Sequence, residues 1–154
     1  MSKALRSCIL FSLLSLAVGG ISALVSGGFS SVYGEIILPP FAPPGFIFPI
    51  VWSILYILMG IGAGLVWSTN SSKREEAITW FVLQLAVGFL WPIIFFSQKL
   101  FFFAFLWIIL LLLLVLRMTY WFFRIKQVSA FLQIPYIVWL LFASALNLGV
   151  VLLN

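Results

Sequence analysis

From Phe46 to Trp67 the chain runs for 22 residues without a charge. A helix of that length, rising about 1.5 Å per residue, covers the roughly 30 Å hydrocarbon core of a bilayer. In lipid a helix satisfies its own backbone polar groups, so the run reads as a transmembrane helix. Four more apolar runs, 8–26, 77–97, 100–123 and 128–153, have comparable length, and only the fourth span holds a charge, Arg117. The expectation is an all-α integral membrane protein, a five-transmembrane-helix bundle forming one domain over residues 1–154. Of the 154 residues 65% are hydrophobic and 7% charged, against about 25% charged in soluble domains. No separate soluble domain fits beside the bundle.

The connection 27–44 ends in Pro39, Pro40, Pro43 and Pro44, four of the seven prolines within six residues. Proline fixes φ and removes a donor, which predicts a stiff, extended loop lying on the membrane face as a fixed lid. A helix starts readily after Pro44, and Pro49 is tolerated in its first turn. Pro92 removes a bond to the carbonyl of Gly88, predicting a kink in the third span. Pro135 predicts a bend near the start of the fifth. Lys99 marks a tight turn. Ser15, Gly19, Ala23 and Gly27 recur every four residues in the first span, and Gly60 and Gly64 form a G-x-x-x-G pair in the second. Small residues at that spacing let helices approach closely in lipid. A secretory signal peptide also begins with basic residues and an apolar core. The length of the first run and its small-residue spacing favour a spanning helix instead.

The chain has no histidine and one cysteine, Cys8. That removes the commonest metal and haem ligand, the usual acid–base group at neutral pH, and any internal disulfide. No acidic residue lies within a span, so no proton relay is visible. The net charge of +5 sits at helix ends, which speaks against nucleic acid as a partner. Lys3, Arg6, Lys73, Arg74, Arg117, Arg124 and Lys126 fall on one side of a five-span topology, and Lys99 alone on the other. By the positive-inside rule the amino terminus is cytoplasmic, and the proline loop and carboxyl terminus face outward. Arg117 is expected to snorkel to the interface. Trp67 and Trp80, at helix ends, read as interfacial anchors. Leu116, Tyr120 and Arg124 match a cholesterol-contact pattern, but that pattern is common at helix ends.

Three segments carry a family resemblance. Residues 39–56 read P-P-x-x-P-P-G-x-x-x-x-x-V-W-x-x-L-Y, residues 84–96 read Q-L-A-V-G-F-L-W-P-I-I-F-F, and residues 135–147 read P-Y-I-V-W-L-L-F-A-S-A-L-N. Together they resemble the TspO/translocator protein family, which includes tryptophan-rich sensory proteins and the peripheral-type benzodiazepine receptor. The chain departs from that family's pattern at Val32, Leu38 and Gly88, where the family carries tryptophan, lysine and asparagine. The resemblance implies porphyrins, including haem, and flat drug-like molecules as ligands, with no cofactor required. The bacterial cytoplasmic membrane is the expected location. Animal members place a cholesterol motif at the end of the last helix; residues 148–154 here hold neither tyrosine nor arginine, so cholesterol is not the expected ligand.

The expected ligand-binding residues are Tyr33, Trp52, Tyr56, Gln84, Gly88, Trp91, Trp139, Ala143 and Asn147, collected on helix faces beneath the proline loop. An apolar pocket with a few polar groups suits a flat hydrophobic ligand, and the tryptophans offer stacking surfaces. For Asn147 an interhelical hydrogen bond competes with ligand contact. Three functions are weighed: a tetrapyrrole-binding sensor, a small carrier of tetrapyrroles or other lipophiles, and a light-dependent porphyrin-degrading enzyme. No acid–base dyad, activated nucleophile or metal site is readable, so the sensor is favoured. The bilayer is the expected environment, and a homodimer the only macromolecular partner entertained.

Overall fold

The computed structural model describes residues 2–28 and 30–154; Phe29, within the expected 27–44 loop, lies outside the described residues. Seven α-helices follow one another: α1 (Lys3–Val25), α2 (Ser30–Tyr33), α3 (Ile47–Trp67), α4 (Arg74–Pro92), α5 (Phe101–Ile125), α6 (Gln127–Phe131) and α7 (Ile134–Leu153). A π-helical turn, Ile93–Ser97, continues α4. No strand occurs among the described residues. Five segments are long and apolar enough to cross a membrane: Lys3–Val25, Ile47–Trp67, Arg74–Ser97, Phe101–Ile125 and Gln127–Leu153. The protein is a five-span all-α membrane bundle.

Two helices, α1 and α4, start before their apolar runs. α1 starts at Lys3 rather than residue 8, since the Ser2 hydroxyl accepts from the Leu5 amide at 3.2 Å. α4 starts at Arg74 with Glu75 and Glu76 in its first turn, where carboxylates favour the positive end of the helix dipole. The expected kink at Pro92 takes the form of the π turn. There the Gln98 amide reaches back five residues to the Ile93 carbonyl at 3.0 Å, as proline-interrupted helices often do. Lys99 then turns the chain with φ 53°.

The fifth span is two helices rather than one bent helix. Lys126 is extended (φ −152°) and separates α5 from α6; a second turn at Leu132–Gln133 separates α6 from α7. Pro135 sits in the first turn of α7, where no helical bond is lost. The fully buried Gln133 side chain closes this break by donating to the Ser129 carbonyl at 3.0 Å.

α1 lies chiefly on α3, α4 on α5, and α5 on α7, while α3 also meets α4 and α6. The α1–α3 seam is backbone against backbone. A Cβ at Gly60 would strike the main chain of Ser12, and one at Gly64 the main chain of Cys8. Ser12 Oγ donates to the Ile57 carbonyl at 3.1 Å across the same seam. Outward faces, such as Leu106, Leu110 and Leu113 of α5, are exposed and apolar, as a lipid-facing surface must be.

The proline loop is strapped across one end of the bundle. Pro39 packs on Gly149 of α7, where an added Cβ would collide with its ring. The Ile37 amide donates to Asn154 Oδ1 at 3.0 Å and the Ile37 carbonyl accepts from Asn154 Nδ2 at 2.9 Å. Tyr33 donates its hydroxyl to the Pro43 carbonyl at 2.6 Å, and burial pushes its phenol above the ordinary value. Lys99 and Glu35 pair at 2.7 Å, both about half exposed.

Gly64→Leu should separate α1 from α3 and lower stability by about 1–3 kcal/mol, the usual cost of overpacking. A denaturant or thermal melt in detergent checks it, with Leu113→Phe on the lipid face expected to leave the melt unchanged.

Candidate functional site

The expected site residues do not share one chamber. Trp52, Tyr56 and Gly88 line a cavity of about 200 Å³ between α1, α3 and α4. Tyr33, Trp91, Ala143 and Asn147 surround a separate void of about 20 Å³ beneath the loop. Trp139 borders an outer groove between α3 and α7, with Val51 and Phe142. Gln84 lines none of these and is fully buried.

Of the cavity and the void, the cavity is the larger. Trp52 and Tyr56 stand one turn apart on α3, their rings 5.7 Å apart and inclined 31°. They make an aromatic wall. The opposite wall is α1, where Leu16 is followed by Gly19, Gly20, Ser22 and Ala23, which present almost no side chain. Ser22 Oγ is engaged, donating to the Phe89 carbonyl of α4 at 2.7 Å. Gly88 and Pro92 form the floor. A Cβ at Gly88 would clear Leu111 by 3.7 Å and stand 4.0 Å from the Tyr136 hydroxyl. The glycine is therefore not needed to avoid a clash. Gly20, Ala23 and Pro49 are shared with a wider cleft of about 670 Å³ that runs past Gly27 and Gly28 toward the loop end.

α1 is the element that sequence reasoning missed. Its small residues were read as packing, and Gly19 does pack: a Cβ there would run into the Tyr56 ring. The doubled glycines, 19–20 and 27–28, were the available signal. Gly19 serves the neighbouring helix, while Gly20, Gly27 and Gly28 all leave open space.

The smaller void is nearly filled by aromatic rings. Trp91 stacks on Phe95 at 5.2 Å and 27°, and Phe96 meets both edge-on. The Trp91 indole N–H donates to Asn147 Oδ1 at 3.3 Å, and Asn147 Nδ2 donates to the Phe101 carbonyl at 2.9 Å. Asn147 thus ties α4, α5 and α7 together and fills the interhelical role. Leu38 reaches this void from the loop, and Val32 is buried in the core.

Gln84 and Tyr136 form a second polar tie. The Tyr136 hydroxyl donates to Gln84 Oε1 at 2.9 Å, and Gln84 Nε2 lies 3.5 Å from Met59 Sδ. Tyr136 also meets Trp52 edge-on at 6.0 Å, so this tie braces the cavity wall from behind. Trp139 braces Phe48 in the same way, at 5.7 Å and 70°. Trp67 and Trp80 sit at the basic end, with Arg74 4.9 Å from the first ring centroid and Arg117 5.5 Å from the second. Among the described residues no cluster of three metal-ligating side chains occurs.

A five-span bundle with a strapped proline loop and an aromatic-walled lateral cavity defines a small polytopic membrane protein. The sequence pattern of the TspO/MBR family matches residues 10–153, and the chain belongs to that family. It is 33% identical to the tryptophan-rich protein TspO of Chlorobaculum tepidum, over all of this chain and 99% of that protein. It is 34% identical to protein CrtK of Rhodobacter capsulatus, over 88% of this chain and 85% of that one. With the translocator protein of Homo sapiens the identity is 31%, over 75% and 70% respectively.

Asn147→Ala should orphan the Trp91 N–H and one Phe101 bond, lowering stability by about 1 kcal/mol, near the upper range for polar ties in lipid. Ala143→Leu should cost more, about 1–3 kcal/mol, because a 20 Å³ void does not take three added carbons. Melting temperatures of the two variants check both.

Proposed function

We propose that this protein is a membrane-embedded binding protein, a sensor by its likeness to tryptophan-rich sensory proteins, whose ligands are porphyrins and similar flat lipophiles. The observation that carries the reading is the cavity between α1, α3 and α4: Trp52 and Tyr56 on one side, a nearly bare helix on the other. Aromatic faces at Trp52 and Tyr56 favour a flat ring system, adding about 0.5–1.5 kcal/mol per stacked pair beyond area burial, and the cavity extends into the cleft it shares at Gly20, Ala23 and Pro49. The names of the relatives point the same way only in part. One from Cereibacter sphaeroides, 32% identical, is called a tryptophan-rich sensory protein, and the human one a translocator. Carriage of a lipophile is therefore the second reading, favoured by the opening of the cavity into the wider cleft at Gly20 and Pro49. Light-driven porphyrin breakdown is the third, and the valine at position 32 removes one family tryptophan from it.

Titration of the purified protein with metal-free protoporphyrin, read by tryptophan quenching, tests the binding. Gly20→Leu projects into open space and should weaken the porphyrin at least about tenfold, a loss of roughly 1.4 kcal/mol, with the melting temperature unchanged. Unchanged affinity would remove this cavity as the site. Haem should bind no more tightly than the metal-free ring by any large factor, because no histidine is available to its iron. Counterflow in proteoliposomes and turnover under illumination separate the carrier and the enzyme from the sensor.

The amino terminus is proposed to be cytoplasmic. With Cys8 replaced, Gly34→Cys should react with an impermeant maleimide from outside the cell, and Ser72→Cys should not. The reverse labelling would invert the topology.

A further inference from the structure

We propose that the basic end of the bundle carries a binding site for the phosphate of an anionic bilayer phospholipid, held by Arg117 and Lys73 beside Trp121. Arg117 is exposed on α5, eight residues before Ile125, or about 12 Å inside the helix end. Its guanidinium does not lie back along the helix. It stands 5.4 Å from the Tyr120 ring centroid and 5.5 Å from that of Trp121, three and four residues further on, so it is turned toward the headgroup layer. A third ring, Trp80 of α4, lies 5.5 Å away. Lys73, at the start of α4, stands 5.7 Å from the same Trp121 centroid. Two cations from different spans thus share one indole.

The charge at this place is not balanced from within the chain. The chain has three acidic residues, Glu35, Glu75 and Glu76, and Glu75 lines a groove with Trp67, Ile78 and Thr79 without pairing with Arg117 or Lys73. Glu35 pairs with Lys99 at the opposite end. Glu76 approaches Lys73 at 3.6 Å, in an exposed i,i+3 pair of the kind worth little in water. Among the described residues no carboxylate pairs with Arg117. Stacking on aromatic faces orients a guanidinium but leaves its N–H edge free to donate. A planar donor edge, a nearby ammonium and aromatic flanks at headgroup depth match a phosphodiester with its acyl chains running down α4 and α5. The other basic groups differ in kind. Arg74 is committed to the Thr69 carbonyl at 3.0 Å and to Trp67, while Arg124 has no second cation on a shared ring among the described residues.

Native mass spectrometry of the full chain released from detergent tests the site, with phosphatidylglycerol, phosphatidylcholine and inorganic phosphate as probes. Wild type should retain one phosphatidylglycerol and no phosphatidylcholine, and millimolar inorganic phosphate should not displace the lipid. Arg117→Gln and Lys73→Gln should each cut retention about fivefold, the scale of one basic residue near a membrane surface. Arg117→Lys should fall between, keeping charge and losing the planar edge. Arg124→Gln should retain the lipid fully. Equal retention in Arg117→Gln and wild type would overturn the proposal, as would an equal loss in Arg124→Gln, which means diffuse attraction. Retention of phosphatidylcholine, or displacement by inorganic phosphate, would also overturn it. Lys73 lies in a surface loop, so its variant keeps the test valid should Arg117→Gln fail to fold.

Discussion

The whole arrangement rests on the contact between α1 and α3. In a bilayer, leucine gains little by leaving lipid tails for another helix, so association depends on close packing and on bonds between helices. Gly60 and Gly64 supply the packing by letting α3 reach the backbone of α1 at Ser12 and Cys8. With the seam closed there, α1 meets α4 through the Ser22 hydroxyl and the Phe89 carbonyl, and the residual space beside Gly20 and Ala23 is the cavity. The slot is thus the other half of the same decision: α1 touches where it meets glycines of α3, and gapes where its own glycines face outward from that seam.

Polar groups within the spans hold the far side of the bundle. Asn147 links Trp91 to Phe101, and Tyr136 links Gln84 to the aromatic wall. Each bond is modest in lipid, averaging about 0.6 kcal/mol, but each joins different spans at a chosen depth and so sets their register. Trp107 does the same at the periphery, donating to the Val87 carbonyl at 2.8 Å. The proline loop adds little energy through the exposed Glu35–Lys99 pair. Its restraint comes from fixed φ angles and from the double bond between Ile37 and Asn154.

The number of spans, their order and the glycine seam were legible in the sequence because lipid imposes length and period on each run. The helix starts at Lys3 and Arg74 were not, since charged residues at an interface belong to the helix while breaking the hydropathy run. The break between α6 and α7 was hidden for a related reason: Gln133 is polar but buried, and only the fold reveals that it seals a discontinuity. For the site, Trp52, Tyr56 and Gly88 do meet across one cavity. Helical period placed them on compatible faces, yet period alone does not tell which of two neighbouring spaces a face borders. Trp91, Ala143 and Asn147 therefore fell into one expected pocket when the chain packs them around another void. α1's contribution was hard to read because its signal, the doubled glycines, is the same one that marks close helix packing.

The π turn after Pro92 has a consequence for how this chain tolerates change in length. A ring closed five residues back holds one residue more than an α-helical ring, so the third span carries a local surplus before Lys99. Losing one residue within Ile93–Ser97 would convert that ring to the ordinary kind and keep the span hydrogen-bonded. It would also swing Phe95 and Phe96 off Trp91. An insertion or deletion elsewhere in a span would have no such slack and would rotate every following side chain out of register. The turn is thus a place where this span can lose a residue and stay hydrogen-bonded.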